Sequence, residues 1–206
     1  QVNLTRFDLF CPEKRDVFLE NSGICALGPG NRNFNNNSAN LVPFFSRRIG
    51  LSAAGTPIPI IGGARVSGKV AGHDLGVLAM KTEEMGSTES NNYLVGRYKR
   101  NLLRTSWIGA IFTDRESASP NDYNRVYGPD VHFQFWQKLE IDSYALRSDT
   151  PGRSGRNMAR NFLTAWRDDE LTASVEYNAV EPNFNPEVGF VRRGNMSQYS
   201  GDVSWN

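Results

Sequence analysis

Apolar and polar residues alternate with period two along most of the chain. Residues 171–180 show it most cleanly: Leu171, Ala173, Val175, Tyr177 and Ala179 alternate with Thr172, Ser174, Glu176 and Asn178. One face of such a segment is apolar and the other polar, as in a β-strand with a single wet side. Residues 131–136 set Val131, Phe133 and Phe135 against His132, Gln134 and Trp136, and residues 64–70 set Ala64, Val66, Gly68 and Val70 against Arg65, Ser67 and Lys69. Residues 94–99 repeat the pattern, with Leu94, Gly96 and Tyr98 against Val95, Arg97 and Lys99. Helix periodicity is weak throughout.

The connections between these segments alternate in length. Tight turns are expected at Gly72-His73-Asp74, at Gln137-Lys138 and at Asp168-Asp169-Glu170, with a short corner near Asn101–Arg104. Between them lie the polar stretches EMGSTESNN, DRESASPND, RSDTPGRSGRN and EPNFNPE. Strands of about ten residues, with short turns at one end and long loops at the other, are the pattern of an outer-membrane β-barrel. A soluble sandwich mixes its loop lengths without this alternation. The fold class expected is therefore all-β: a partial antiparallel transmembrane β-barrel of about ten to twelve meandering strands. A soluble antiparallel binding module is the rival.

Composition agrees with this picture without requiring it. The mean hydropathy of −0.49 looks soluble, but a barrel strand is half polar and averages the same way. No run of about 18 apolar residues is present, which excludes a transmembrane helix. Twenty-three basic residues against 22 acidic ones leave a formal charge of +1. That balance argues against nucleic acid as a partner.

Residues 1–57 read differently, as an irregular strand-and-loop lead-in to the hairpin meander of residues 58–206. One or two strands are expected there, with a long excursion folded into the lumen or over one rim. The chain opens on Gln1 without a basic-apolar-small leader and stops inside an alternating stretch at Trp205-Asn206. It is accordingly expected to be an internal piece of a longer barrel, whose remainder is one of its partners. Two cysteines, Cys11 and Cys25, are too few for a disulfide framework. Both lie among apolar residues and read as buried thiols.

The strings NLTRF, PEKRDVFLENSG, FFSRRIG, PIPIIGGARVSGK, IGAIFTDR, NRVYGPD and NFNPEVGFVRR occur together and in order. Over about residues 1–195 the chain resembles a family of bacterial outer-membrane proteins of unknown function, in which a domain like carbohydrate-binding-module family 9 precedes a large β-barrel. The resemblance implies that residues 1–206 are the first part of that barrel domain, located in the bacterial outer membrane. It further implies transport or surface handling of polar or glycan-derived solutes. Outer-membrane lipid and a polar or glycan ligand are the partners expected. A glycan-acting hydrolase is the alternative, and whether the protein is an enzyme is left open.

In a barrel the polar half of each strand faces the lumen. The lumen or binding residues expected on that ground are Arg47, Arg48, Arg65, Lys69, Arg97, Lys99, Glu176, Arg192 and Arg193, with Asp142 inward or at a rim. Such a wall sets the field of a pore, or it fills the lumen with salt bridges that fix strand register. The adjacent pairs Arg47-Arg48 and Arg192-Arg193 cannot both point inward on a regular strand, so one member of each belongs at an end or a bulge. For catalysis, Glu20 in PEKRDVFLEN and Glu187 in NPEVGF are weak candidates. A carboxylate among apolar residues can act as acid or base, and a pair serves glycoside hydrolysis at separations of about 5–10 Å. No metal site is expected, because neither His73 nor His132 has a second His or Cys at ligand spacing. No cofactor fingerprint is present. Tyr93, Trp107, Tyr123, Tyr127, Trp136, Tyr144, Trp166 and Trp205 fall near expected strand ends and read as an aromatic girdle.

Overall fold

The computed structural model describes residues 41–52 and 55–205. Glu20, Cys11, Cys25 and the strings NLTRF and PEKRDVFLENSG lie outside the described residues. Within them the chain is an antiparallel all-β protein. A short strand, β1 (Leu41–Val42), and a 3₁₀ turn (Ser46–Arg48) lead into β2 (Ile60–Val70), β3 (His73–Thr82), β4 (Asn91–Asn101) and β5 (Trp107–Ser117). There follow β6 (Tyr123–Phe135), β7 (Leu139–Asp149), β8 (Met158–Arg167), β9 (Leu171–Val180), β10 (Phe190–Val191) and β11 (Met196–Trp205). Nine strands form one sheet in the order β11-β9-β8-β7-β6-β5-β4-β3-β2, while β1 and β10 pair as a separate ribbon. Every pairing is antiparallel.

The turns explain the tight end of the sheet. Ala71 (φ 48°) and Gly72 (φ 80°) join β2 to β3 with positive φ at both central positions, the geometry that matches the right-handed twist of a hairpin. The turn thus falls one residue earlier than expected, and His73 opens β3. Trp136 (φ 52°) and Gln137 (φ 61°), followed by Lys138, close the β6–β7 hairpin in a three-residue turn that also uses positive φ. At the opposite end, residues 83–90, 150–157 and 181–195 are the long connections. The expected long loop DRESASPND shrinks to residues 118–122. Its polar ends stay in the ladder because they are paired: Asp114 accepts from Arg125 at 3.3 Å, and Arg115 forms an ion pair with Asp122.

Because strand side chains alternate, the register divides the sheet into two unlike faces. One face is exposed and largely apolar. It carries Val66, Val70, Leu75, Leu94, Tyr98, Ile108, Tyr127, Phe162, Val175, Tyr199, Val203 and Trp205, each at least 38% exposed. In register the rows are continuous, for example Val131, Ser143, Phe162, Tyr177 and Tyr199. Toward the long-connection end this face meets charge, with the pairs Arg125–Asp114 and Arg160–Glu181.

The other face is buried, and it is in two halves. Toward the long connections it is apolar. Ile49, Leu78, Met80, Tyr93, Val95 and Val188 form one cluster there, and Leu41, Ile111, Val126, Leu146, Ala159, Val180 and Phe184 form a second. Residues 41–51 and 184–191 therefore act as a plug laid over the sheet. Toward the short turns the buried face is charged.

Candidate functional site

The charged half of the buried face is a belt that crosses the strands. Its first link is Arg97 on β4, whose side chain is fully buried. Its guanidinium donates to both oxygens of Asp130 on β6, at 2.5 and 2.6 Å. The bond passes over β5, and the residue beneath it is Gly109. A Cβ at Gly109 would stand 2.9 Å from Asp130 Oδ1 and 3.0 Å from Arg97 Nη1. The bidentate pair fits because that position has no side chain.

Trp107, two residues along β5, extends the belt. Lys99 Nζ lies 4.5 Å from the center of its ring, and the Arg97 guanidinium carbon 5.6 Å. Both are within the range of a cation–π contact. The same indole stacks on the His132 ring at 5.9 Å. His132 Nδ1 is 2.7 Å from Asp142 Oδ1 across the β6–β7 hairpin. Glu140, two residues before Asp142 on β7, is buried and paired with Arg167 at the end of β8. Farther along, Asn161 donates to Glu176 at 2.7 Å. At the β2 end, Lys69 pairs with Asp74 at 3.5 Å.

The residues expected to face inward divide accordingly. Arg97, Lys99, Asp142 and Glu176 lie on the buried face and belong to the belt. Arg65 and Lys69 share that face on the edge strand β2, half-buried and exposed respectively. Arg47 and Arg48 are elsewhere, in the 3₁₀ turn of the plug. Arg192 and Arg193 are exposed just past β10. Neither arginine pair lies on a regular strand, whereas the alternation rule required that of only one member of each.

Glu187 is part of the plug, not of the belt. Arg115 Nε donates to it at 2.7 Å and Asn185 Nδ2 at 2.9 Å, while its own backbone N–H donates to Asn124 Oδ1 at 3.1 Å. Asn124 also donates to the Asn185 carbonyl at 2.7 Å, and the Asn185 N–H donates to Ser148 Oγ at 3.0 Å. NFNPEVGF is thus a loop laced onto the sheet by Arg115, Asn124 and Ser148.

Three of the expected girdle aromatics are on the buried face instead. Tyr93 belongs to the plug-end core. Tyr144 packs against the second cluster, and Trp107 is the center of the belt. Trp166 and Trp205 are on the exposed face near the short turns, and Trp136 is 76% exposed in the β6–β7 turn itself. Two carboxyls outside the strands are held below the ordinary carboxylate range. Asp122 is held there chiefly by its hydrogen bond from Arg115, and Asp168 by its bond from Lys138 at 2.6 Å.

Sequence spacing did not reveal the grouping of His132, Glu140 and Asp142. Their donor atoms lie within 4.8 Å of one another. The signal was there in the hairpin: a turn centered on Gln137 opposes residue 132 to residue 142 and puts residue 140 on the same face. Comparison with protein-family models, with curated proteins and with solved structures finds no match.

Proposed function

We propose that this chain is part of the wall of a bacterial outer-membrane β-barrel that passes or handles polar solutes, glycan-derived ones among them. One observation carries the reading. Over the short-turn half of the sheet the apolar members of the alternation face out, and Arg97, Asp130, His132, Glu140 and Asp142 face in, buried. A water-soluble sheet protein buries its apolar face against protein. A barrel in lipid reverses this, with an apolar band outward and a polar lumen. The aromatics Trp136, Trp166 and Trp205 gather at the short-turn end of the band, where a membrane interface favors them.

The belt of Arg97, Lys99, Trp107, Asp130, His132 and Asp142 is then the lumen wall. Most of its charges are paired, which supports a role in fixing register. Lys99 is positioned by an aromatic ring, so it is the cation best suited to meet a passing anionic or hydroxylated solute. Glu187 is engaged by Arg115 in the plug, which favors a structural duty for it over hydrolysis. The resemblance in the sequence is the ground for choosing glycan-derived solutes.

The test is reconstitution into phosphatidylcholine vesicles with bromine at defined acyl depths. Quenching of tryptophan fluorescence by shallow bromines, together with retention in the vesicle fraction after carbonate washing, is the expected result. A protein that stays in the aqueous fraction, unquenched at every depth, would overturn the membrane reading. If vesicles containing the chain admit small sugars, Lys99→Met should change the ratio of anionic to neutral sugar entry. An unchanged ratio would remove Lys99 from the solute path.

A further inference from the structure

We propose that His132, Glu140 and Asp142 form a binding site for one divalent transition-metal ion, with Zn²⁺ as the fitting probe. The site is independent of the reading above, since it needs only the β6–β7 hairpin. The three side chains project from one face of that hairpin, and one donor atom from each falls within 4.8 Å of the others. Zinc takes imidazole nitrogen and carboxylate oxygen at about 2.0–2.2 Å. Donor atoms around a tetrahedral ion therefore stand about 3.4 Å apart. The donor atoms must therefore draw in by up to about 1.4 Å to close on an ion.

A second observation points to a ligand. The Asp142 side chain is 10% exposed. Its Oδ1 is bonded to His132, but its Oδ2 is buried without a hydrogen-bond partner. A buried carboxylate oxygen left so is unfavorable, and here the Glu140 carboxylate stands beside it. Two carboxylates within this distance repel one another, and a cation shared between them would relieve that repulsion. The surroundings also resemble a supported metal site. Arg167 holds Glu140 from behind, and Trp107 stacks on His132 and fixes its plane. Such outer contacts orient ligands before the metal arrives. A surface depression at the short-turn end is lined by Gln134, which neighbors the site on β6, together with Trp136 and Gln137.

The experiment is a titration of the chelator-stripped chain with Zn²⁺ by calorimetry, and with Co²⁺ by visible absorption. One ion per chain is expected, with d–d bands of a nitrogen–oxygen ligand set. His132→Ala and Asp142→Asn should each weaken binding by about tenfold or more. The chain has two histidines, so imidazole ¹⁵N spectra of the unaltered protein report the ligand even where a variant fails to fold. Zn²⁺ should shift the His132 resonances and leave those of His73. No uptake of either ion would mean that the two carboxylates share only a proton, and would overturn the site. A thiolate charge-transfer band with Co²⁺, or a Zn²⁺ shift confined to His73, would do the same.

Discussion

Val175 sits at the middle of β9 on the exposed apolar face, between Thr164 of β8 and Gly201 of β11. It is 57% exposed. The substitution Val175→Arg separates a lipid-facing strand from a water-facing one. At the surface of a soluble protein, an exposed Val replaced by Arg changes stability by no more than about 0.5 kcal/mol. At the midplane of a bilayer the same change costs roughly 2–4 kcal/mol. That is a fall of about 30-fold to nearly 1,000-fold in the folded-to-unfolded ratio. Leu171 provides the internal control. It lies on the same face and strand, toward the short turn. At about 3.4 Å per residue the two positions are ~14 Å apart along the strand. A tilt of about 40° reduces this to ~10 Å of depth, close to half of an apolar band ~25 Å tall. Leu171→Arg should therefore fall near the interface, at a cost of no more than about 1 kcal/mol. Urea unfolding in phosphatidylcholine vesicles, followed by tryptophan fluorescence, measures both. If both variants lie within about 0.5 kcal/mol of the parent protein, or if Leu171→Arg is the more damaging, the argument from facing and depth is refuted.

Other consequences are testable in the same preparation. Arg97→Met removes the bidentate partner of the buried Asp130 carboxylate, so it should destabilize by about 3–5 kcal/mol, and the double variant with Asp130→Leu should recover most of that loss; a single variant as stable as the parent would show that water reaches the pair. Gly109→Ala pushes a methyl group between Arg97 and Asp130 and should cost about 1–3 kcal/mol, with a null effect indicating that the arginine can shift aside. Asp122 has a folded pKa below its ordinary 3.8 because Arg115 hydrogen-bonds it. The ion pair thus stabilizes the protein above that ordinary value, and the contribution disappears as the pH falls through the lowered folded one. Its carboxylate is half exposed, so the gap between parent and Asp122→Asn should stay under about 1 kcal/mol at pH 7 and close in acid. A gap that widens in acid would contradict the assignment.

Much of the sheet was legible because its alternation is long and clean. β9 spans Leu171–Val180, the residues that the pattern marks, and the faces of β2, β4 and β6 follow from the same rule. The end of β5 was harder, because Asp114 and Arg115 fall in the stretch DRESASPND, which reads as a loop, yet stay in the ladder by pairing with Arg125 and Asp122. Aromatic residues were the least legible class. Trp107 and Trp166 both lie near the short turns, but one faces the charged belt and the other the exposed face. Position along a strand does not distinguish the two, whereas parity relative to Arg97 or Phe162 does. For the site, Arg97, Lys99, Glu176 and Asp142 were readable as inward residues. Their partners were not, since Arg97–Asp130 skips a strand and depends on the missing side chain of Gly109.

The ribbon of β1 with β10 has a kinetic consequence. In the large sheet almost every strand pairs with its neighbor in the chain, so the sheet can grow hairpin by hairpin, each addition closing a short loop. The ribbon is different: it joins Leu41 to Val191. Closing a loop of that length in an open chain carries roughly 4 kcal/mol of entropy, against roughly 2 kcal/mol for ten residues. Once the intervening strands have paired, they hold the two ends near each other and most of that penalty has already been met. The ribbon is thus a latch that shuts last and opens first. Its amides, and the bond from the Phe45 N–H to the Val188 carbonyl, should exchange with solvent sooner than those joining β5 to β6. Opening the latch would uncover the apolar half of the buried face while the rest of the sheet remained intact.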